Sequence, residues 1–204
     1  REHSAKQEDF EFWNWELVRE GTFIGNQRAL AIENLSDAAC QTVNELSGGS
    51  EGLRIEYKSN IPGGIPNSET ESRFITALNE SYSKELAIGS TLIGPHRDDF
   101  KLWVKGVDMK IYASRGQART LALALRLAEA MHLTKTKGEP IVLLDDILSE
   151  LDSPRRSRVL AHLLQYEQTI ITTTDLEQFT KSFLPGARLW RIDKNEAEEI
   201  INTK

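Results

Sequence analysis

The chain has 204 residues, of which 39% are hydrophobic and 27% charged, as in an ordinary globular protein with a sizeable core. Its formal net charge of -6 argues against whole-surface attraction to nucleic acid or to an anionic membrane, so any contact with DNA has to be local. A single cysteine, Cys40, excludes an internal disulfide, and no apolar run reaches the roughly 20 residues of a membrane span. Because no secretory signal pattern is present either, we expect a cytosolic protein.

The first third of the chain predicts mostly helix. Residues 1 to 47 contain no proline and carry apolar residues at roughly helical spacing, which indicates one or two long helices. The Gly48-Gly49 pair is expected to end them, and the alternation of residues 53 to 57 predicts a strand. A Gly- and Pro-rich loop follows, in which Ser68 is the expected N-cap of a helix over residues 69 to 87.

From residue 91 the pattern changes to alternating strands and helices. The runs FKLWVK and MKIYAS, joined at Gly106 to Asp108, predict a β-hairpin. Helices are predicted over 116 to 133 and 154 to 165, with strands in PIVLLDD, TIITTT and ARLWRI, and this alternation predicts a mainly parallel sheet covered by helices. We therefore expect an α/β lobe over residues 91–204, preceded by a helical lobe over residues 1–90.

The apolar run 141 to 144 is typical of a central strand buried on both faces, and it ends in Asp145-Asp146. Ligands bind at the carboxyl ends of strands in open α/β sheets. Adjacent side chains of a strand point to opposite sides, so one carboxylate could orient Mg²⁺ while the other faces an attacking water as a base. The alternative interpretation is a strand end that the two acids only cap.

Upstream, Ser114-Arg115-Gly116-Gln117 opens a helix that is almost entirely apolar, which we therefore expect to be buried. Free backbone N–H groups, a serine hydroxyl and the positive end of the helix dipole suit a phosphate. A plain serine N-cap explains the same residues. Two further groups, Ser149 to Asp152 and Thr172 to Asp175, follow the acid pair and the next strand.

In this order the motifs resemble the C-terminal half of an ABC-type ATPase head. The segments GPHRDDF at 94 to 100, ASRGQARTLALALRLAE at 113 to 129 and LLDDILSELD at 143 to 152 are similar to the RecF family of bacterial recombination mediators. The resemblance implies an ABC-ATPase-like head with an N-terminal helical arm. It also implies a signature motif that contacts the γ-phosphate of ATP held by a partner subunit, formed by Ser114, Arg115, Gly116 and Gln117.

The resemblance assigns roles to further residues. It makes Asp145 the Walker B acid that orders Mg²⁺, and it places Asp146 where most ABC proteins have the catalytic glutamate. Thr174 stands where many of them have a switch histidine, which implies slow hydrolysis. A loop that crosses the dimer interface, the D-loop, is implied for Ser149, Glu150, Leu151 and Asp152.

No G-x-x-x-x-G-K-[ST] loop occurs in the sequence, and that loop is what cradles the phosphates of a bound nucleotide. In the family that the motifs resemble, this loop lies far toward the N-terminus, so the resemblance implies a C-terminal fragment. Such a fragment is expected to bind ATP and Mg²⁺ only together with a phosphate-loop segment and to be inactive as an ATPase by itself.

By resemblance, the parent protein would be an ATP-dependent homodimer that binds DNA at gaps or duplex junctions and acts with RecO and RecR to load RecA, without a membrane. The local patch expected to contact DNA comprises Arg115, Arg119 and Arg126. A second group, Arg155, Arg156 and Arg158, is interpreted as a solvated helix face. The alternatives are the head of an SMC, Rad50 or RecN type of ATPase and a non-catalytic interaction module.

The segment GPHRDDF has two interpretations. Its His96, Arg97, Asp98 and Asp99 could belong to a metal or nuclease site, or Gly94-Pro95 could form a turn whose Arg and Asp groups pair locally. We expect the second, structural role, and we expect the other histidines, His3, His132 and His162, to be ordinary surface residues.

Overall fold

The computed structural model describes residues 7–49, 51–179, 183–194 and 196–200, and the side chains from Phe10 onward. The helices in this part of the chain are α1 (Gln7–Ser47), α2 (Thr70–Ile88), α3 (Met109–Tyr112), α4 (Arg115–Lys137) and α5 (Ser153–Leu163). The strands are β1 (Leu53–Lys58), β2 (Asp99–Val104), β3 (Val107–Asp108), β4 (Val142–Asp145), β5 (Thr169–Thr172), β6 (Leu189–Asp193) and β7 (Glu196–Ile200). None of the described helices is both long and apolar enough to cross a membrane.

A helical N-terminal part followed by a parallel strand pair confirms the predicted α/β fold class. The chain forms two compact units, Arg1–Cys40 with Glu51–Ala118 and Gln41–Ser50 with Arg119–Lys204. This division does not coincide with a boundary near residues 88 to 91. The reason is that β2 pairs along its whole length with β1 and so belongs with the first unit.

The first unit contains the antiparallel sheet β1-β2-β3, with Leu53 opposite Val104. The predicted hairpin is present, and its turn is Lys105-Gly106, whose φ angles of 52° and 79° are those of a two-residue turn matched to strand twist. The predicted second strand, MKIYAS at 109 to 114, is wrong: the short strand β3 lies at Val107–Asp108, within the predicted turn. The Asp108 side chain then accepts a hydrogen bond from the Lys110 amide at 3.0 Å and caps the helical turn α3.

The helix ends in this half of the chain follow from single residues. α1 runs as one helix to Ser47, and Gly48 ends it with φ 74°, as expected. α2 starts one residue later than predicted, and its N-cap is Glu69 rather than Ser68. Just before the helix, the Asn67 side chain accepts a hydrogen bond from the Glu69 amide at 3.0 Å.

The core of the first unit is built around Phe74 of α2, which is fully buried. Val18, Ile61 and Leu78 form one cluster with it, and Ile93 packs against that cluster. Burying each of these large side chains stabilises the unit by about 1.5–3 kcal/mol relative to leaving it in water.

The second unit contains the parallel pair β4-β5, in which Asp145 lies opposite Thr172. α4 is buried along one face only, through residues such as Leu121 and Leu127, so the expectation of a wholly buried helix is wrong. β4 is not buried on both faces either, because Leu144 is 3% exposed whereas Leu143 is 65% exposed. In the described residues the β4-β5 sheet has two strands.

Two further expectations for the second unit are corrected. The strand predicted in ARLWRI exists as β6, but it pairs antiparallel with β7 rather than joining the parallel sheet. His162 is not a surface residue, because it is 4% exposed and its Nδ1 lies 3.1 Å from Glu45 Oε2. It lies on the buried face of α5, next to Leu163.

Candidate functional site

The acid pair lies at the carboxyl end of β4, as predicted, and both carboxylates are exposed. Asp146 has φ 49° and ψ 19°, a left-handed conformation that Asp and Asn adopt more readily than most residues. Its amide donates to Thr172 Oγ1 at 3.0 Å, and the same hydroxyl donates to Asp145 Oδ1 at 2.5 Å. Thr172 therefore connects the two acids to the end of β5.

From the sequence, Thr172 is identified only as part of the group Thr172 to Asp175 and is assigned no role. It lies in a run of three threonines, and the sequence does not show which of them faces the acid pair. The pairing register decides this, since it places Thr172 directly opposite Asp145. Thr174, the predicted switch position, is exposed beyond the end of β5.

The segment after the acid pair, Ser149 to Asp152, forms a turn that is anchored from both sides. Ser149 Oγ donates to the Asp146 carbonyl at 2.8 Å, and Leu151 is buried. Asp152 caps α5 by accepting the Arg155 amide at 2.9 Å. Glu150 is left exposed, where it forms an ion pair with Arg119 at 3.0 Å.

Arg156 also holds this turn. Its Nε donates to the Leu148 carbonyl at 3.1 Å and its guanidinium donates to the Leu151 carbonyl at 2.9 Å. The interpretation of this arginine as part of a solvated helix face is therefore wrong, because its donors bind two carbonyls of the turn. Arg158 has a comparable contact, 3.4 Å from its guanidinium to the Leu46 carbonyl.

The start of α4 forms a reciprocal cap. The Ser114 amide donates to Gln117 Oε1 at 2.9 Å, and the Gln117 amide donates to Ser114 Oγ at 3.2 Å. This is the arrangement of a capping box, so the plain-cap interpretation describes the local geometry. Ser114 Oγ is an acceptor in it, and its own O–H proton can still be donated to an incoming anion. Ser114 and Arg115 are exposed, and Gly116 is partly exposed.

The segment GPHRDDF belongs to the first unit and is structural there. The Asp98 side chain is 2% exposed and accepts from the Asn60 amide at 2.7 Å, from the Tyr57 hydroxyl and from Arg28 at 3.4 Å. Burial, and then the hydrogen bond to Asp98, raise the pKa of the Tyr57 phenol above its ordinary value.

The partners of Asp98 come from distant parts of the sequence, so the expectation of local pairing within the turn is corrected. Asp99 pairs with Lys110 at 3.0 Å, and this contact lowers the pKa of the Asp99 carboxyl. His96 Nε2 lies 3.0 Å from the Thr91 carbonyl. Within the described parts of the chain, no three His, Cys, Asp or Glu side chains are grouped as a metal site would require.

Two of the arginines predicted to contact DNA already have carboxylate partners. Arg119 pairs with Glu150, as above, and Arg126 pairs with Glu129 at 2.8 Å. Both arginines line a groove of about 570 Å³ between α4 and β4 whose walls are mainly apolar.

A divalent cation has one well-placed ligand here. Mg²⁺ is usually held by one or two carboxylates together with water and substrate phosphate oxygens, rather than by an all-protein cage. Asp145 fits that pattern, because it is exposed at a strand end and its Oδ1 is already oriented by Thr172. The residues present therefore fit a cation that is bound together with a nucleotide.

No family model matches the sequence. Among curated proteins, the chain is 40% identical over 190 residues to the DNA replication and repair protein RecF of Chloroflexus aurantiacus, covering 91% of this chain and 48% of that protein. It is 35% identical to RecF of Synechococcus sp. strain JA-3-3Ab, covering 91% of this chain and 50% of that protein. The chain thus spans about half the length of the curated relatives it matches.

Solved structures give the same relationship. The structure described as the recombination mediator protein RecF-ATPrS in the RecFOR pathway matches with a TM-score of 0.82 and 29% identity, over 98% of this chain and 52% of that chain. The corresponding RecF-ATP structure matches with a TM-score of 0.80 and 30% identity, again over 98% of this chain and 52% of that chain.

Proposed function

The chain belongs to the RecF family, and we propose that it supplies one half of a composite ATP site to a longer, ATP-controlled DNA-binding protein of recombinational repair. The observation that carries this proposal is the exposed pair Asp145-Asp146 at the end of β4, held in a defined geometry by Thr172. The likeness to RecF structures named for bound ATP or ATPrS supports a nucleotide as the ligand.

In this proposal Asp145 is the cation ligand and Asp146 is the general base. Mg²⁺ would neutralise charge on the phosphates of the bound nucleotide. One acid would then serve the cation and the other the attacking water, as the family resemblance implies. The proposed cofactors are therefore ATP and Mg²⁺, together with a phosphate-loop segment that this sequence lacks.

The signature role is proposed for the start of α4. The exposed Ser114 hydroxyl and the first N–H groups of a 23-residue helix suit a γ-phosphate presented by a second subunit. A contact that only ATP provides favours the dimer with ATP and releases it with ADP, because a ligand shifts an equilibrium by its differential affinity for the two states.

The cellular role follows from the family and is proposed with it. A RecF-like dimer would bind DNA at gaps or duplex junctions and act with RecO and RecR in loading RecA; the two matched RecF structures are described as proteins of the RecFOR pathway, which supports these partners. The helical lobe, residues 1–90, would serve as the arm and residues 91–204 as the head. Arg115, at the start of α4, is the proposed DNA contact that remains after the pairing of Arg119 and Arg126.

The proposal is tested with a full-length RecF-family protein that contains this segment. We expect Ser114→Arg to abolish dimerisation in the presence of ATP, as measured by sedimentation velocity, because the larger cation fills the space of the γ-phosphate. Ser83→Arg is the matched control, since Ser83 is an exposed serine on a different helix, α2. If the Ser114 variant dimerises with ATP as the control does, the signature assignment is wrong.

A further inference from the structure

Thr172 is the side chain at the acid pair to which neither the motif pattern nor the family resemblance assigns a role. Its hydroxyl forms two hydrogen bonds: it accepts one from the Asp146 amide at 3.0 Å and donates one to Asp145 Oδ1 at 2.5 Å. A hydroxyl has one proton to donate and two lone pairs to accept with, so both bonds can form together.

We propose that Thr172 is a positioning residue that orients the Asp145 carboxylate for its cation; the inference rests on the metal role proposed for Asp145. A carboxylate on a short side chain rotates about two bonds, and a hydrogen bond to Oδ1 selects one orientation. It thereby commits Oδ2 to the cation. Partners that orient a ligand in this way typically change metal affinity by about 10- to 100-fold when they are removed.

The same hydroxyl supports the turn that separates the two acids. Asp146 has a positive φ, a conformation that costs free energy for a residue other than glycine, and its amide is bonded to both the hydroxyl and the carbonyl of Thr172. The carbonyl bond, at 3.3 Å, belongs to the backbone and survives substitution of the side chain. Loss of the hydroxyl is therefore expected to disorient Asp145 without unfolding the turn.

The pairing register makes the assignment specific to this threonine. Asp145 and Thr172 are the last residues of their strands and lie opposite each other, whereas Thr169 begins β5 opposite Val142. The Thr169 hydroxyl is buried and forms no hydrogen bond within the described structure. The strand therefore contains both the proposed positioning residue and a threonine of the same size and shape to compare it with.

The test uses four variants of a full-length family protein that contains this segment: Thr172→Val, Thr172→Ser, Thr169→Val and Asp145→Asn. Binding of a fluorescent ATP analogue is titrated with Mg²⁺, and binding without metal is measured in EDTA. We expect Thr172→Val to raise the Mg²⁺ concentration at half-saturation roughly tenfold while metal-free binding is unchanged. For Thr172→Ser, which keeps a hydroxyl, and for Thr169→Val, the Mg²⁺ concentration at half-saturation should stay within about twofold of wild type.

The outcomes distinguish the positioning role of Thr172 from the metal role proposed for Asp145. If Asp145→Asn abolishes the Mg²⁺ dependence but Thr172→Val titrates like wild type, the positioning role is overturned and the metal role of Asp145 stands. If Asp145→Asn leaves the titration unchanged, the metal role falls and the positioning role falls with it. A Thr172→Val variant that weakens binding equally with and without Mg²⁺ also overturns the inference, because it then acts on the structure alone.

Discussion

The chain contains two Asp-Asp pairs, and the first acids of the two pairs have opposite environments. In the first unit, Asp98 is 2% exposed and surrounded by donors from β1, the loop after it and α1. In the second unit, Asp145 and Asp146 are both exposed at the end of a strand, and the Thr172 hydroxyl is bonded to both residues. The same Asp-Asp sequence therefore contains a buried, hydrogen-bonded carboxylate in the first unit and lies at an exposed strand end in the second.

The difference shows what distinguishes a structural acid from a candidate functional one. A buried carboxylate is stable only when donors surround it, and those donors leave no oxygen available for a ligand. An exposed carboxylate with one oriented oxygen retains a second oxygen for a cation. The number of donors and the burial, rather than the residue type, decide which acid pair can do chemistry.

The largest expected effect is on the buried acid. Asp98→Ala leaves the Asn60 amide, the Tyr57 hydroxyl and Arg28 without their acceptor, so we expect a loss of about 3–5 kcal/mol in the free energy of unfolding. Asp145→Ala is the matched change at the exposed pair and should cost less than about 1 kcal/mol. Urea unfolding of the full-length protein measures both. Equal losses for the two variants would contradict the contrast between the two pairs.

The second effect is on the exposed acid and concerns rate rather than stability. Asp146→Asn should lower single-turnover ATP hydrolysis in the full-length protein about 100-fold, because it removes the proposed base. Asparagine accepts the left-handed conformation found at this position, so the melting temperature and ATP binding should remain those of wild type. Hydrolysis at the wild-type rate in a folded variant would exclude Asp146 as the base.

The smallest effect concerns one donor to the buried acid. Tyr57→Phe removes a hydrogen bond to the Asp98 carboxylate and should cost about 1.5 kcal/mol at neutral pH. The pKa of Tyr57 is raised in the folded state, so its contribution is fully present below about pH 10, the ordinary pKa of a phenol, and is lost as the pH rises through the folded value.

The measurement for Tyr57 is therefore a comparison across pH. Chemical unfolding of wild type and Tyr57→Phe should differ by a constant amount up to about pH 10, and the difference should shrink above it. A difference that stays constant to higher pH would show that the phenol proton is not part of the interaction.

Local patterns predict much of the second unit. The apolar run of β4 ends in the acid pair, and Pro154 opens α5 close to the expected residue. These features depend on neighbours in the sequence, such as strand composition, helix caps and proline. The position of Asp145-Asp146 at the carboxyl end of a parallel strand therefore follows from the order of residues alone.

What could not be predicted depends on distant partners. Nothing close in the sequence connects Asp98 to Tyr57 or Arg28, which lie 41 and 70 residues away. The surface prediction for His162 fails for the same reason, since its partner Glu45 is 117 residues earlier. The selection of Thr172 from three consecutive threonines required the register of β5 against β4.

The exposed side of β4 and β5 bears on how the chain behaves while it is being synthesised. Ile141, Leu143 and Ile170 share one side of the strand pair and are 63%, 65% and 47% exposed. Short, uncharged runs of β-branched and aliphatic residues are the segments through which nascent chains aggregate. This run is bounded by Pro140 on one side and by the two acids on the other, and proline and negative charge both oppose strand stacking between molecules. The two acids therefore also place negative charge at the end of this exposed apolar run.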